Sequence, residues 1–285
     1  MSVPAEDFAP RLHPVLRRVY AGRGVRSESE LELGLDQLLP VSTLDGIDAA
    51  VELLLRHFAS QSRILIIGDF DTDGATSSAL VVRSLRRLGF VNVGYLVPNR
   101  FRFGYGLTPE IVALAAQGAP SLIITVDNGV SSHAGVAEAT RRGIEVLITD
   151  HHLPPAELPR AAAIVNPNLS DARFGSRALA GVGVAFYVVA ALTRALQSRG
   201  LAKGEFSVAE LLDLVALGTV ADMVPLDHNN RVLVAQGLRR IRAGRCVPGI
   251  TALLEQANRS LSRVVVQDLA FAVAPRLNAA GRLDD

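Results

Sequence analysis

The stretch Ile64-Leu65-Ile66-Ile67-Gly68-Asp69-Phe70-Asp71-Thr72-Asp73-Gly74 passes abruptly from apolar to acidic. Its first four residues are a short branched run that stops at a glycine, the form of a strand buried on both faces of a parallel sheet. Three carboxylates follow within five residues. They repel one another, and such a cluster is stable mainly when a cation offsets its charge. An Asp-rich turn in which Asp73 caps the next helix accounts for the same residues without any chemistry. The rest of the chain decides between the two.

Outward from this stretch the alternation continues. Asp48 to Phe58 reads as an amphipathic helix before the strand, and Ala75 to Leu88 as a helix after it, closed by Gly89. Val91 to Val97 is strand-like, and Thr108-Pro109-Glu110 opens a helix with an N-cap and a first-turn proline. Leu122 to Val126 is the next strand, followed by a helix over 135–141, a strand at Val146-Leu147-Ile148 and a shorter one over 162–165. This spacing predicts an α/β fold with a doubly wound parallel sheet over residues 46–178. From residue 179 the pattern changes to helix, over 182–197, 208–221, 229–243 and 248–257, a helical part spanning 179–260. Residues 1–45 are expected as a loosely helical lead-in, and 261–285 as a third segment.

Acidic and imidazole side chains collect after three of these strands, on the sheet edge where ligands bind in open α/β folds. Asp69, Asp71 and Asp73 follow the first, Asp127-Asn128-Gly129 follows Leu122–Val126, and Asp150-His151-His152 follows the 146–148 strand. Asp222 falls near the end of an apolar helix, where the dipole disfavours a carboxylate unless something positive is near. Each motif alone is as readily a cap or a structural histidine; together on one edge they point to a metal. Carboxylates with imidazole and no thiolate suit Mn²⁺ best, then Mg²⁺, with zinc behind. The ligands are too many for one ion. Two ions about 3.5–4 Å apart, bridged by one carboxylate, serve phosphate-ester hydrolysis by activating water and offsetting the charge that builds on the phosphoryl group. Glycines beside the motifs let phosphate approach the backbone.

Bulk properties narrow the classes. With 285 residues and 49% hydrophobic content the chain is long enough for two lobes or one large α/β unit, and with no Trp its core is built from Leu, Val, Ile and Ala. A net charge of +1 excludes a basic field over the whole chain, so nucleic-acid contacts must be local. The clusters Arg83/Arg86/Arg87 and Arg239/Arg240/Arg242/Arg245 read as solvated helix faces; Arg100/Arg102 is a third. Cys246 is the only cysteine, which removes intrachain disulfides and thiolate zinc sites and fits a reducing compartment. The N-terminus has no signal-peptide run, and no apolar stretch approaches the roughly 20 residues of a membrane span. The expectation is a cytoplasmic protein without membrane contact. Walker A and Gly-x-Ser-x-Gly patterns are absent. Gly181-Val182-Gly183 does not complete a dinucleotide fingerprint and reads as a tight turn into a helix.

The Asp150-His151-His152 triplet, taken with Gly68–Gly74, Asp127-Asn128-Gly129 and the Gly218 to Asp222 segment, resembles the DHH phosphoesterase superfamily. Pro98-Asn99-Arg100, Phe103 to Glu110, Leu179 to Val184 and Pro275 to Arg282 narrow the resemblance to its bacterial single-strand-specific exonucleases, over about residues 45–285. The resemblance implies Asp71 and Asp73 as metal ligands, with Asp69 a ligand or a partner of one. It implies Asp127 as the bridge, His151 as a ligand, His152 as a ligand or phosphate contact, and Asp222 as the completion of one coordination sphere. Asp73, Asp127, His151 and His152 are then the catalytic set. Arg276, Asn278 and Arg282, with Arg100 and Asn128, are implied as substrate contacts, a role that suits the bidentate fork of arginine. The resemblance further implies 5′→3′ degradation of single-stranded DNA to 5′-mononucleotides, Mn²⁺ or Mg²⁺ as cofactor, a role in repair and recombination, and a single-strand-binding protein or helicase as partner.

Phe70 and Thr72 stand where the family more often has Tyr and Ala; neither is a ligand. Family members carry a second lobe with a Gly-rich, His-containing substrate motif, and the exonucleases add an oligonucleotide-binding barrel. Neither falls within these 285 residues. Residues 261–285 are expected to begin the first of them, and substrate grip and processivity depend on the rest. Two other readings stay open. One is another enzyme on this scaffold, a manganese pyrophosphatase or a phosphodiesterase for short oligonucleotides or cyclic dinucleotides. Pyrophosphatases place a His upstream of the first Asp pair, where this chain has Ile67-Gly68-Asp69, which weighs against pyrophosphate. The other is a chain that binds metal and DNA without turnover.

Overall fold

The structure, a computed structural model, describes residues 12–169, 173–202 and 204–281, apart from the side chain of Arg100. Arg282 lies outside the described residues. After α1 (Pro14–Gly22) and short 3-10 turns, the chain enters an alternating unit: α2 (Ile47–Ser60), β1 (Ile64–Gly68), α3 (Thr72–Leu88), β2 (Val93–Leu96), α4 (Arg100–Phe103), α5 (Pro109–Ala116), β3 (Leu122–Val126), α6 (His133–Arg141), β4 (Glu145–Thr149) and β5 (Ala163–Val165). The strands pair in parallel in the order β2-β1-β3-β4-β5. The order reverses between β1 and β3, so the crevice at their C-terminal ends is the place where such a sheet receives a ligand.

Both faces of the sheet are covered, which explains why its strands read as continuous apolar runs. Ile64, Ile66, Leu122, Ile124, Val126 and Leu147 pack into one core with α2 and α3, while Ile67, Ile123, Val146 and Ile148 pack into a second with α5 and α6. The period of two along each strand sorts the residues between the layers. The expected start of α3 at Ala75 moves to Thr72, because Asp71 accepts a hydrogen bond from Gly74 N and caps the helix earlier. Asp73 therefore lies inside the first turn and does not cap its own helix.

The helical part follows as α7 (Gly181–Ser198), α8 (Leu212–Ala221), α9 (His228–Arg242) and α10 (Pro248–Gln256). It forms a layer on the first core, with α7 between α2, α3 and α8. Contrary to the expectation from sequence, α7 is long and apolar enough to cross a membrane by length and composition alone. Its apolar residues are taken up by packing: Val182, Val184, Ala185 and Leu192 are fully buried. Residues 261–281, expected as a third segment, follow directly on this layer. They form α11 (Val266–Asp268), a π-helical stretch (Leu269–Val273) and α12 (Ala274–Ala280), and Val264, Leu269, Val273 and Ala274 join the same core as α8. The arginine clusters are partly structural too: Arg87 pairs with Glu210 at 2.8 Å, and Arg242 Nε donates to Val264 O.

Helix α8 packs closely against α9. A methyl group on Gly237 would run into Leu212 O and Ala216 Cβ. Gly237→Ala gains helix propensity of about 1 kcal/mol yet overpacks a fully buried interface, a cost of about 1–3 kcal/mol. The expected outcome is a lower urea midpoint at unchanged slope; an equal or higher midpoint would mean that the helices separate freely.

Candidate metal centre

Asp69 and Asp71 sit in the turn between β1 and α3. Asp69 Oδ1 accepts from Phe70 N at 2.7 Å and Asp71 Oδ1 from Gly74 N at 2.9 Å. Asp73, one turn into α3 and 1% exposed, reaches across to α7 instead. Its Oδ2 accepts from Gly181 N at 2.7 Å and its Oδ1 from Val182 N at 2.9 Å, so it caps the N-terminus of the 18-residue helix.

Asp127 ends β3 in a left-handed backbone conformation, φ 62°, which is uncommon for a residue with a side chain. Asp127 N donates to Thr149 O at 3.0 Å, and Asn128 Nδ2 donates to Val126 O and Ile67 O at 2.9 and 3.3 Å. These bonds tie the ends of β1, β3 and β4 and hold the bend that turns the carboxylate of Asp127 into the crevice. Strain maintained in this way clusters at functional sites.

The third motif is built around Asp150, 1% exposed, a residue that the sequence pattern alone leaves without a role. Its Oδ1 accepts from His151 N, His152 N and His152 Nδ1, and its Oδ2 accepts from Val130 N. The hydrogen bond and charge of Asp150 hold His152 above the usual imidazole range, and His152 faces solvent. Tyr105, also unassigned from sequence, places its hydroxyl 3.4 Å from the ring nitrogens of His152 and 3.3 Å from Asp127 O. The Phe103 to Glu110 segment carried that signal, as an aromatic between two glycines.

The motifs converge. Asp69, Asp71 and Asp127 each offer an oxygen within 4.8 Å of the others, and so do the ligand atoms of Asp73, His151 and Asp222. These two groups share no residue, and a third, Asp127, His151 and His152, overlaps each of them. Asp127 and His151 join them, with Oδ1 and Nε2 3.1 Å apart, and Asp222 Oδ2 is 3.5 Å from the same nitrogen. Asp127 Oδ1, His151 Nε2 and Asp222 Oδ2 are buried and have no hydrogen-bond partner. The 3.1 Å approach is therefore a close contact without hydrogen-bond alignment, and three lone-pair atoms face one space.

Protonation reflects the crowding. Burial, then the Asp222 charge, raises Asp73 from 3.8 to about 8; burial and the neighbouring carboxylates raise Asp127 well above its ordinary value. Burial and Asp71 raise Asp222 to about 6. Burial, then His152, lowers His151 to about 4, so its ring is neutral near pH 7 and Nε2 can serve as a ligand. Buried acceptors without donors, an imidazole lone pair and no thiolate are the donor set of Mn²⁺ or Mg²⁺, and two groups joined by the Asp127–His151 contact fit a pair of cations.

The substrate contacts implied by resemblance are placed differently. Asn128 is 2% exposed; its Nδ2 clamps the strand ends, and its Oδ1 is buried without a hydrogen-bond partner. Asn278 Oδ1 accepts from Thr72 N and Thr72 Oγ1 at 2.8 and 2.7 Å, which latches α12 to α3. Arg276 is exposed on α12 and its Nη1 donates to Ala272 O. The backbone of Arg100 opens α4 beyond β2.

The sequence pattern described as the DHH family, N-terminal domain, matches residues 63–219, from just before β1 into α8. The chain belongs to the DHH family. Among the proteins similar to this DHH chain are the single-stranded-DNA-specific exonucleases RecJ of Dickeya dadantii (strain 3937), 61% identical, and Escherichia coli (strain K12), 57% identical. Each match covers 98% of this chain and 49% of the relative. Solved structures with the same arrangement include an exonuclease RecJ bound to manganese (36% identity, TM-score 0.75, 86% of this chain and 59% of that one). Two more are of RecJ from Thermus thermophilus: with Mn²⁺ (35%, TM-score 0.78, 96% and 38%) and with Mg²⁺ (31%, TM-score 0.67, 96% and 34%). The chain spans about half the length of the curated relatives it matches.

The shifted groups set a pH response. Asp73 and Asp127 are protonated in the folded, metal-free chain at pH values where the unfolded chain is ionised, so their contribution is lost as pH rises towards about 8. His151 acts oppositely between its usual 6.5 and about 4, where the unfolded chain takes up the proton. The metal-free protein should therefore lose thermal stability from about pH 6.5 to 8. Mn²⁺ should abolish that loss and release protons on binding at about pH 7. Calorimetry in buffers of different ionisation enthalpy measures the release; none would mean that the carboxylates are already ionised.

Proposed function

We propose that this chain is the metal-dependent catalytic part of an exonuclease that hydrolyses single-stranded DNA from its 5′ end to 5′-mononucleotides. The observation that carries the reading is the pair of ligand groups whose central atoms, Asp127 Oδ1, His151 Nε2 and Asp222 Oδ2, are buried without partners. The exonucleases of similar sequence support the substrate class. Asp69, Asp71 and Asp127 would hold one cation and Asp73, His151 and Asp222 the other, with Asp127 between them. The cations, Mn²⁺ first and Mg²⁺ second, supply water activation and offset the charge that builds on the phosphoryl group.

The chain's own residues position that chemistry. Asp150 orients His152 through Nδ1 and favours its protonated form, leaving Nε2–H to donate to a phosphate oxygen from the solvent side of the site. The N-terminus of α7 holds Asp73, and the Asn128 clamp holds Asp127. Exposed Tyr105 beside His152 offers an aromatic face at the rim. DNA repair and recombination, a cytoplasmic setting, and a single-strand-binding protein or helicase that delivers the strand belong to the same reading.

The test is mononucleotide release from 5′-phosphorylated single-stranded DNA with Mn²⁺. Release should fall more than about a hundredfold in Asp127→Ala; a variant as fast as the parent ends the two-cation reading. Asp222→Asn should weaken a manganese titration while the circular dichroism spectrum is unchanged, and an unaltered titration removes Asp222 from the ligand set. Because the chain spans half of its relatives, a second reading carries weight. Stoichiometric manganese without release from long strands, but with cleavage of dinucleotides or cyclic dinucleotides, would make this a phosphodiesterase for small substrates.

A further inference from the structure

Leu179-Ala180-Gly181-Val182-Gly183 leads into α7 beside the metal centre, and beyond the N–H that Gly181 gives to Asp73 the chemistry proposed so far gives its glycines no part. We infer that Gly181 is a positioning residue of the centre: the missing side chain at the first residue of α7 lets the Asp127 carboxylate and the helix end that holds Asp73 occupy adjacent places. The inference rests on the reading that Asp73 and Asp127 hold cations.

The space is filled from both sides. A methyl group on Gly181 would lie 2.6 Å from Asp127 Oδ1, 2.7 Å from its Cβ and 2.9 Å from its Cγ. Real Cβ atoms do not approach other heavy atoms so closely, so one partner must move. Asp127 has no slack: it is 3% exposed, its backbone is left-handed, its N–H is bonded to Thr149 O, and Asn128 ties the preceding strand end to β1. The end of α7 has none either. Gly181 N and Val182 N are bonded to Asp73, and Gly218 of α8 presses from the far side, where a methyl group would come within 2.8 Å of Val182 Cγ1 and 2.9 Å of Asp73 Oδ1. A side chain at 181 therefore displaces Asp127 or detaches Asp73, and each is a member of a different ligand group.

Gly183 supplies the control. A methyl group there meets only the Leu179 side chain, at 2.5 and 2.8 Å for its nearest atoms, and no carboxylate. Both substitutions crowd the same first turn, but only Gly181→Ala reaches the centre. In manganese titrations of the purified proteins, Gly181→Ala should lose one of the two tight sites or bind at least about tenfold more weakly, while Gly183→Ala keeps wild-type stoichiometry and affinity. Wild-type binding by Gly181→Ala, or equal loss in both variants, overturns the inference.

A double-mutant cycle in the metal-free protein tests the contact without any metal. Asp127→Gly removes all three clashing atoms and suits the left-handed backbone. Gly181→Ala should lower the melting temperature in the native background and leave it unchanged in the Asp127→Gly background; equal lowering in both overturns the contact. The second background also keeps the test decisive if Gly181→Ala alone does not fold. A wild-type chain that takes up no manganese removes the metal reading, and the cycle then decides the placement of Asp127 by itself.

Discussion

Electrostatic repulsion among the carboxylates of Asp69, Asp71, Asp73, Asp127 and Asp222 is the constraint around which this fold is arranged. Ordinary sequences keep such groups apart or in water, because burial and like charge both oppose ionisation. Here the sheet order brings the β1 and β3 turns to the switch-point crevice, and α8 delivers Asp222 to the same place. The fold answers part of the repulsion with fixed dipoles: two N–H groups of α7 on Asp73, Gly74 N on Asp71, and three N–H groups and an imidazole on Asp150. The remainder falls on Asp127, His151 and Asp222, whose inward atoms have no partner in the protein.

The helical half is therefore part of the site. The N-terminus of α7 caps a residue of α3, a hydrogen bond across 108 residues of sequence. Asn278 binds the first residue of α3, so α12 closes over the turn that carries Asp69 and Asp71. Gly281, at the end of α12, packs so closely on Phe70 O that a methyl group would not fit. The acidic turn is thus held from β1 beneath, α7 beside and α12 above. Preorganisation of this kind keeps ligands in place before any cation arrives, which lowers the reorganisation that binding demands.

What could be read from sequence divides along the same line. β3 was legible to the residue, and the other strands to within about two, because a buried parallel strand announces itself by composition. The three strand-end motifs were legible because strand order in an open sheet puts C-terminal ends on one edge. What escaped were contacts distant in sequence. Asn128 and Asn278, implied as substrate contacts by resemblance, also bind backbone or hydroxyl partners that no local period reveals. The alternative in which Asp73 caps its own helix stayed open from sequence because the helix that it does cap lies 108 residues on. Residues 261–281 looked like a separate segment because their apolar residues follow a π-helical stretch, which breaks the helical period that marks an amphipathic helix.

The balance of charge also constrains how a strand could be bound. The chain's net charge is +1, and the carboxyl groups of five aspartates line the crevice, so the metal-free site offers a phosphate little attraction. Two basic groups are committed within the protein: His152 is held by Asp150, and Arg276 is bonded to its own helix. On the proposed function, the cations themselves attract a DNA phosphate to the ligands. Metal binding then precedes substrate binding, and the metal concentration governs the apparent affinity for DNA as well as the rate of hydrolysis. The base-independent character of that attraction fits a nuclease that reads the backbone and a strand end, with any preference among bases left to aromatic groups at the rim such as Tyr105.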